Sequence, residues 1–348
     1  MKESIPPAAW VFSQGNWRAR YRSRHTIVLS GGEGTRMRPF IRQWLGEDRP
    51  KQYCAFVGTR TMLQHSLDRA ADLVDPGHTH LVLGPQHQRY LGHGLPGFAG
   101  RLHPQPANRG TAVGIFLALA EILEADPEAT VLVLPSDQFI HPEAAFRRYA
   151  DRAFLLAEQF RDHVVLMGVA ATEPERDYGW IEPAEQVLGA NWEADLRPPS
   201  RVRRFVEKPS ANLAELLLQR RALWNTMSLV ARAETLWKMG RRFLPRLVRR
   251  FDEYRLMRRA LGADARRLEA AALLTRIYEQ PGQIDFCQAI LQSDPQSCLV
   301  LPMDDLHWSD WGRPERIEDT ILRFGIRSNI PLALPETRGV DIHEYAIG

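Results

Sequence analysis

Short apolar runs alternate with longer amphipathic stretches through the first half of this chain. The runs at residues 26–30, 79–84, 130–134 and 163–169 have the length and apolar content of buried strands. Between them, residues 61–74, 111–125 and 142–159 carry apolar side chains at three- and four-residue spacing, which predicts helices. Strands that alternate with helices form sheets that are covered on both faces. The pattern therefore predicts an α/β fold, a Rossmann-like doubly wound mixed sheet.

The rhythm changes after about residue 170. Extended segments at 178–182, 201–207 and 226–232 are interrupted by helices, which predicts a smaller mixed lobe on the same sheet. We expect one domain over residues 25–330, with parts at about 25–170 and 171–330. Residues 1–24 are an N-terminal extension and residues 331–348 a C-terminal tail. Residues 234–280 are helical and rich in arginine, and either a solvated face or a surface for anionic ligands or a partner subunit explains them. The sequence leaves open whether the protein forms a homo-oligomer.

Charge and cysteine content exclude several classes of protein. The chain has 348 residues and a net charge of only +3, which argues against a nucleic-acid partner. Its three cysteines form no Cys-x-x-Cys pair, so we expect neither a disulfide framework nor a zinc knuckle. No apolar run approaches the roughly 18 residues of a membrane span, and the first 24 residues lack a signal sequence. We therefore expect a cytoplasmic protein with small-molecule partners and no membrane span.

Lysine is rare in this chain. Only four of the 45 basic residues are lysines, namely Lys2, Lys51, Lys208 and Lys238. Lysine carries a compact and flexible ammonium group, whereas arginine carries a planar guanidinium. A lysine in such an arginine-rich chain marks a place where an ammonium is needed, unless the four are scattered by chance. Lys51 and Lys208 are therefore candidate binding residues.

A glycine-rich turn directly follows the first predicted strand. Its backbone N–H groups can approach phosphate oxygens, and Arg36 adds a fork of donors for the same anion. No Gly-Lys-Ser/Thr follows, so it is not a P-loop, and the third glycine of a dinucleotide fingerprint is replaced by Met37. A structural turn is the alternative interpretation. The candidate phosphate-binding residues are Leu29, Gly31, Gly32, Gly34, Thr35 and Arg36.

Two further segments contribute candidate ligand contacts. Lys51 follows a rigid proline, and a second cation beside a phosphate loop suits a triphosphate. The second segment, with Gln105, Gly110 and Thr111, precedes a predicted helix. Polar and small residues there can read the edge of a base and admit the backbone close to a ligand. A loop with a threonine cap explains this segment equally well.

Two aspartates are candidate ligands for Mg²⁺. Asp137 lies at the carboxyl end of a strongly apolar strand, where open α/β sheets bind ligands, and Asp310 is the natural second carboxylate. Helix or turn capping is the alternative for both. The histidines at positions 78, 80, 87 and 93 have no firm ligand spacing, so we expect no metal site among them.

Taken in order, the motifs resemble those of the sugar-1-phosphate nucleotidylyltransferase family, and most closely its mannose-1-phosphate guanylyltransferases. The resemblance covers about residues 25–325 and implies the nucleotide-diphospho-sugar transferase fold, with a nucleotide-binding part and a sugar-binding lobe. The motifs are Gly-Gly-x-Gly-Thr-Arg at 31–36, Pro-Lys-Gln at 50–52, Pro-Ser-Asp at 135–137, Tyr-Gly-Trp-Ile-Glu at 178–182, Phe-Val-Glu-Lys-Pro at 205–209, Trp-Asn at 224–225 and Trp-Ser-Asp at 308–310.

The resemblance implies a reaction and a role for each candidate residue. A sugar-1-phosphate oxygen would attack the α-phosphorus of a nucleoside triphosphate and release pyrophosphate. Arg36 and Lys51 would be the catalytic cations, on the leaving pyrophosphate and the α-phosphate. Asp137 and Asp310 would hold Mg²⁺, the expected cofactor. The sugar-phosphate site would consist of Gly179, Glu207, Lys208 and Asn225, and the nucleotide site of the glycine-rich turn with Gln105, Gly110 and Thr111.

Base and sugar are less clearly indicated than the reaction. The stretches 50–53 and 61–64 are similar to guanylyltransferases, and GTP with mannose-1-phosphate is the expected substrate pair. Gln105 and Gly110 are similar to the base-contacting stretch of thymidylyltransferases. Gln138 stands where these guanylyltransferases usually have histidine, and Met227 where they usually have glycine. The alternatives are therefore a thymidylyl- or uridylyltransferase acting on glucose-1-phosphate, and a non-catalytic regulatory homologue that binds a nucleotide sugar.

Overall fold

A nine-stranded mixed sheet forms the centre of the molecule in the computed structural model. The structure describes residues 23–91, 95, 97–187, 196–260, 263–279 and 282–330. Residues 1–22 of the expected extension, the expected tail at 331–348 and His93 lie outside the described residues. The strands of the sheet are β1 (Arg24–Ser30), β2 (Thr79–Leu83), β3 (Arg101–Pro104), β4 (Thr130–Pro135), β6 (Val164–Ala170), β7 (Gly179–Gln186), β8 (Ser200–Glu207), β9 (Leu223–Arg232) and β10 (Cys298–Met303).

The strand order is β3-β2-β1-β4-β9-β6-β10-β8-β7, and β7 also pairs with β9. Pairs among β1–β4 are parallel, as is β6 with β10. Strand β9 runs antiparallel to both β4 and β6, and β8 runs antiparallel to β10. The doubly wound mixed sheet predicted from the sequence is confirmed. One continuous sheet passes through both expected parts of the domain.

Nine helices of the described residues surround this sheet. They are α1 (Arg38–Leu45), α2 (Met62–Ala71), α3 (Thr111–Ala125), α4 (Glu143–Gln159), α5 (Ala211–Gln219), α6 (Ala233–Phe243), α7 (Pro245–Ala260), α8 (Ala263–Tyr278) and α9 (Pro314–Phe324). The helices predicted at 61–74, 111–125 and 142–159 and the helical region at 234–280 are confirmed. Helices α1 and α9 and strands β3 and β10 are additional to the predicted elements.

Both faces of the sheet are buried. Along β4, Val131 and Val133 point into a core with α3, α6 and α7, while Leu132 and Leu134 point into a second core with α4. Alternate residues of a strand face opposite sides, so a strand that is apolar throughout is covered on both. Helix α3 is buried over most of its length because α6 and α7 cover the side that the sheet leaves open.

A small two-stranded sheet joins distant parts of the chain. Strand β5 (Phe139–His141) pairs antiparallel with β11 (His307–Ser309), with Ser309 opposite Phe139. Because Asp137 precedes β5 and Asp310 follows β11, this pairing brings together two carboxylates that are far apart in the sequence.

The arginine-rich helices α6 and α7 carry many internal ion pairs. Arg241 contacts Asp252, and Arg258 contacts both Glu121 and Glu124 of α3. A partner surface on these helices stays a prediction. No helix among the described residues combines the length and apolarity that crossing a membrane requires.

Candidate functional site

A cavity of about 580 Å³ opens at the carboxyl ends of β1, β2 and β4. Open α/β sheets bind ligands at this edge. Eight of the predicted site residues line it: Leu29, Gly31, Gly32, Gln105, Gly110, Thr111, Asp137 and Lys208. Gly34, Thr35, Arg36, Lys51, Gly179, Glu207, Asn225 and Asp310 do not line it directly. Several of these contact lining residues, so the cavity connects the predicted nucleotide and sugar-phosphate residues.

The glycine-rich turn is held by Gln52. The Gln52 side-chain amide donates to the carbonyl oxygens of Gly32 at 2.7 Å and Ser30 at 3.2 Å. At Gly31 a Cβ atom would lie 2.6 Å from Nε2 of Gln105, so a larger residue would displace that side chain. Thr35 follows the last glycine of this turn and is exposed to solvent. Gln52 belongs to the Pro-Lys-Gln motif at 50–52, but sequence analysis did not predict that it supports the glycine-rich turn.

The expected base-reading residues are tied to the fold by hydrogen bonds. Gln105 donates to the Leu83 carbonyl at 3.2 Å and accepts from the Tyr278 hydroxyl at 3.0 Å. The Thr111 hydroxyl accepts from the Phe286 N–H at 2.8 Å. Asn108, which was not singled out, lines the cavity and accepts from the N–H of Gly110 at 3.1 Å. This wall of the cavity is therefore held in place before a ligand arrives.

Lys51 is buried, with 4% of its surface exposed. It begins a short 3₁₀ turn, Lys51–Tyr53, directly after Pro50. Its ammonium nitrogen lies 3.1 Å from a carboxylate oxygen of Asp137 and donates to the backbone carbonyl of Asp310. A buried ammonium requires such partners because desolvation strongly disfavours an unpaired charge. Lys51 thus joins the two predicted metal ligands.

Asp310 is the better-fixed of the two aspartates. Its Oδ1 accepts from the Tyr178 hydroxyl at 2.8 Å, the Gly312 N–H at 3.0 Å and Arg316 at 2.6 Å. Burial raises the pKa of Asp310, but the charges of Lys51 and Arg316 and these hydrogen bonds outweigh it. The pKa of Asp310 therefore lies below its usual range, and the group is a carboxylate at neutral pH.

The two aspartates offer carboxylate oxygens, which are suitable ligands for a magnesium ion. All three hydrogen bonds to Asp310 reach Oδ1, which leaves Oδ2 facing Arg36 at 3.7 Å. The Asp137 side chain is 42% exposed and lines the cavity. Mg²⁺ is commonly bound by one or two carboxylates together with substrate phosphates and water. One partly buried and one accessible carboxylate, the second of which lines a cavity of about 580 Å³, match that requirement.

Arg36 is held outside the cavity by Asp177. Its Nη1 donates to Oδ2 of Asp177 at 2.7 Å, and the same oxygen accepts from Arg313 at 2.6 Å. The neighbouring Glu175 is buried and contacts Arg316. Sequence analysis missed these acidic and basic groups because they lie in the loop before β7 and at the start of α9, where no strand or helix periodicity marks them.

Three of the predicted sugar residues are neighbours on adjacent strands. Gly179 of β7 lies opposite both Glu207 of β8 and Asn225 of β9. A Cβ atom on Gly179 would lie 2.6 Å from a carboxylate oxygen of Glu207, so only glycine fits without a shift. Lys208 follows with φ +47°, and its ammonium lies 3.7 Å from Glu207 with 61% of the side chain exposed. The structure thus brings Gly179, Glu207, Lys208 and Asn225 together, and we call this group the sugar corner.

Glu207 has an unusual electrostatic environment. Burial and the nearby carboxylate of Asp285 raise its pKa to about 7, against the opposing charge of Lys208. Glu207, Asp285 and Cys287 offer ligand atoms within 4.8 Å of one another. Burial also raises the pKa of the Cys287 thiol well above its usual value, so it stays protonated at neutral pH. Asp285 and Cys287 come from the segment after α8, which sequence analysis did not assign to the site.

The two departures from the family pattern have different surroundings. Gln138 donates to the Thr226 carbonyl at 2.7 Å and accepts from the Trp308 indole at 2.9 Å, so it joins β9 to β11. Met227 lines the cavity with a backbone φ of +60°. Its sulfur accepts from the Cys287 thiol at 3.2 Å. Gln138 therefore joins two strands and also lines the cavity, as Met227 does.

Comparisons with known proteins identify relatives of this chain. It is 33% identical over 224 residues to the xanthan biosynthesis protein XanB of Xanthomonas campestris pv. campestris (strain B100), which is 63% of this chain and 44% of XanB. It is 29% identical over 215 residues to a mannose-1-phosphate guanylyltransferase of Klebsiella pneumoniae, 60% of this chain and 42% of that protein. The chain thus spans less than half the length of these curated relatives.

A solved structure and a family model agree with these relatives. The structure from Thermus thermophilus, described as a mannose-1-phosphate geranyltransferase, has a TM-score of 0.67 and 28% identity, covering 83% of this chain and 76% of that one. This likeness confirms the fold that the resemblance implies. The family model for nucleotidyl transferases matches residues 25–323, which is most of the chain. The chain therefore belongs to the nucleotidyl transferase family.

Proposed function

We propose that this chain transfers a nucleotidyl group from a nucleoside triphosphate to a sugar-1-phosphate and releases pyrophosphate. The observation that carries the proposal is the single cavity that Gly31, Gly32, Asp137 and Lys208 all line. The glycine-rich turn and Lys208, whose ammonium lies near the Glu207 carboxylate, both contribute to its wall. In the proposal, these two groups bind the phosphates of the two substrates in one cavity.

The chemistry needs positioning and charge more than it needs a base. The attacking phosphate oxygen is already an anion, so no side chain has to remove a proton from it. Repulsion between the two phosphates is the obstacle, and fixed cations in a poorly solvated site reduce it. Lys51 is buried beside the cavity and held in place by two acceptors, so it can stabilise charge on the α-phosphate without reorganisation.

Arg36 serves the leaving pyrophosphate in this proposal. Its side chain is 54% exposed and pairs with Asp177, which also holds Arg313. An exposed ion pair of this kind contributes little to stability, so phosphate oxygens can compete for the guanidinium. Binding of the triphosphate therefore exchanges one anionic partner of Arg36 for another.

Asp137 and Asp310 would hold Mg²⁺, which neutralises phosphate oxygens of both substrates when it is bound. Lys208 would bind the phosphate of the sugar-1-phosphate. Glu207 would accept hydrogen bonds from sugar hydroxyls, with Asn225 beside it. The assignments to the sugar phosphate are supported by Lys208 on the cavity wall and by Glu207 and Asn225, which lie opposite one residue of β7.

For the identity of the substrates, we propose GTP and mannose-1-phosphate, with GDP-mannose as the product. Support comes from the guanylyltransferase-like motifs and from the similarity to the mannose-1-phosphate guanylyltransferase of Klebsiella pneumoniae. The second candidate is a thymidylyl- or uridylyltransferase acting on glucose-1-phosphate. The specific observation that favours it is Gln105 beside Gly110 on the cavity wall, together with Met227 where a guanylyltransferase has glycine.

Pyrophosphate release tests the proposal directly. Purified protein with Mg²⁺ is given GTP, dTTP, UTP, ATP or CTP, each paired with mannose-1-phosphate or glucose-1-phosphate. Release that needs both GTP and mannose-1-phosphate supports the finer proposal, and another productive pair keeps the reaction and corrects the substrates. Folded protein that binds a nucleotide sugar but releases no pyrophosphate with any pair would contradict the reaction and indicate a regulatory homologue.

A further inference from the structure

The two oxygens of the Asp310 carboxylate have different neighbours. Oδ1 accepts hydrogen bonds from the Tyr178 hydroxyl, the Gly312 N–H and Nη1 of Arg316. Among the residues that the structure describes, none donates a hydrogen bond to Oδ2, and Arg36 lies 3.7 Å from it. A Cβ atom on residue 312 would lie 2.5 Å from Oδ2, so the glycine keeps space beside that oxygen. The contacts within the protein therefore use one oxygen and leave the other to a ligand.

Arg316 is held between two carboxylates. Its Nη1 donates to Asp310 at 2.6 Å, and its Nη2 contacts Oε2 of Glu175. The Arg316 side chain is 14% exposed and the Glu175 side chain 7%. The guanidinium also lies over the Tyr178 ring, 4.7 Å from the ring centre. A planar guanidinium with a carboxylate on each terminal nitrogen is fixed in direction as well as in position.

Glu175 is anchored independently of Asp310. Its Oε1 accepts from the N–H groups of the next two residues at 2.8 and 2.9 Å. Its backbone carbonyl accepts from the indole of Trp180, a fully buried side chain of β7, at 2.8 Å. Arg316 therefore has a fixed partner on the side away from Asp310, and it can hold the Asp310 carboxylate in one orientation.

Tyr178 is the second side chain that donates to Oδ1 of Asp310. Its ring is 7% exposed and packs edge-on against Trp224 and Trp308, with 5.2 and 5.1 Å between ring centres. A carboxylate oxygen only accepts, so the phenol is the donor in this contact. The packing of the ring leaves the hydroxyl at one place, beside Oδ1.

The charges of Asp310, Arg316 and Glu175 sum to −1, the charge of a single carboxylate. Alone, Arg316 would repel a cation near Asp310, since two positive charges at close range oppose each other. Glu175 offsets that repulsion. The arrangement therefore fixes the Asp310 carboxylate without cancelling its attraction for a cation.

We propose, on the basis of the metal role of Asp310 in the proposed function, that Tyr178 and Arg316 are positioning residues. They hold Oδ1 and direct Oδ2 of Asp310 toward a divalent cation, and Glu175 supports Arg316 from behind. Hydrogen bonds to a metal-binding carboxylate orient it, and losing such a partner commonly costs about 10- to 100-fold in metal affinity or activity.

Binding of Mn²⁺ to the full chain, without any substrate, tests this proposal. Mn²⁺ prefers the same oxygen ligands as Mg²⁺, and the electron paramagnetic resonance signal of the free ion gives the dissociation constant. Tyr178→Phe removes one donor at constant charge, and we expect Kd to rise by about three- to tenfold. Tyr149→Phe removes another buried hydroxyl, which accepts from the Asp304 N–H, and should leave Kd unchanged. Equal Mn²⁺ affinity of Tyr178→Phe and the parent would overturn the role of Tyr178.

A charge-matched double variant tests Arg316. Arg316→Met alone would leave Glu175 buried and unpaired, which mixes a change of charge with a change of orientation. Glu175→Gln/Arg316→Met keeps the summed charge with Asp310 at −1, and we expect Kd for Mn²⁺ to rise by about tenfold. Asp304→Asn/Arg197→Met removes an ion pair with both side chains 42% exposed and should leave Kd unchanged. A Glu175→Gln/Arg316→Met protein with the parental Kd would overturn the role of Arg316.

Asp310→Asn identifies the site, because it should abolish the Mn²⁺ binding that the other variants weaken. Thermal unfolding of every variant separates a loss of stability from a loss of metal affinity. Mn²⁺ binding by the parent that does not depend on Asp310, or no binding, would overturn this proposal. Pyrophosphate release tests the reaction separately, so a protein that binds Mn²⁺ as expected but releases no pyrophosphate would keep the positioning role and lose the proposed function.

Discussion

The two lysines that the sequence singled out have opposite environments. Lys51 is buried, with Asp137 and the Asp310 carbonyl as partners, whereas the Lys208 side chain is 61% exposed and lies 3.7 Å from Glu207. On the side of the cavity proposed for the nucleotide, the charge of Lys51 is therefore compensated before any ligand arrives. The corner proposed for the sugar is not compensated in this way, since Glu207 remains poorly solvated beside Asp285. Substitutions should accordingly impair catalysis on the first side and affinity for one substrate on the second.

The largest effect is expected for Asp137→Asn. The change keeps the shape of a side chain that is 42% exposed but removes the charge that would hold Mg²⁺. We expect turnover to fall by about 10³-fold, together with some loss of thermal stability because the buried Lys51 ammonium loses a charged partner. Steady-state kinetics at several Mg²⁺ concentrations, with circular dichroism as the check on folding, measure this. An unchanged rate would remove Asp137 from the metal site.

Lys51→Ala should lower kcat by about 10²–10³-fold, the usual effect of losing one fixed donor at a reacting centre. Lys51→Arg should not restore it, because the larger planar group has no room at a position 4% exposed. Lys238→Ala is the control, since the Lys238 side chain is 61% exposed and pairs with Glu234 on the same helix. A rise in KM with kcat unchanged would show that Lys51 binds substrate and does not take part in the reaction.

Lys208→Ala should change affinity and leave turnover largely intact. We expect KM for the sugar phosphate to rise by about tenfold, the order of one charge-assisted contact, with KM for the nucleotide within about twofold. Kinetics with each substrate varied in turn measure the split. Equal effects on both substrates would reject the comparison between the two sides of the cavity.

The smallest effect concerns the dependence of stability on pH. The pKa of Glu207 is about 7 in the folded protein, against an ordinary value of 4.5. Between these values the folded state holds a proton that the unfolded state has lost, so this group makes stability fall as pH rises from 4.5 to 7. Glu207→Gln removes that fall.

We therefore expect Glu207→Gln to be more stable than the parent at pH 8 by about 1–3 kcal/mol, and much less so at pH 5. Thermal or urea unfolding at both pH values measures the difference. Glu185→Gln, at a side chain 70% exposed, is the control and should show no such dependence. A gain for Glu207→Gln that is equal at both pH values would contradict the raised pKa.

Much of the fold follows from local patterns in the sequence. Strands β1, β2, β4 and β6 are apolar runs, and α3 and α4 repeat apolar residues with helical spacing. The four-residue strand β3 was missed because it has only one buried residue and no recognisable period. Strand β10 is buried throughout, yet it lies after a long helical region and gains its place only by pairing with β6 and β8.

In the candidate site, too, some features are visible in the sequence and others depend on the tertiary structure. The sequence alone identified the glycine-rich turn, both lysines and both aspartates, because each is a chemical group of a particular type in a short motif. It could not show that Asp137 and Asp310 meet, since that depends on the pairing of β5 with β11, two strands that are far apart in the sequence. Nor could it show that Asp177 holds Arg36, since the two are 141 positions apart.

Residue type and spacing are local properties, so the sequence by itself determined the strands, the helices and the candidate chemical groups. Burial, charge compensation and hydrogen-bond partners depend on residues far apart in the chain, so only the tertiary structure decided them. Glu207 illustrates the difference. Its identity is visible in the sequence, but its pKa near 7 results from burial among β7, β9 and the Asp285 segment, because a carboxylate is destabilised wherever water is excluded and another negative charge is close.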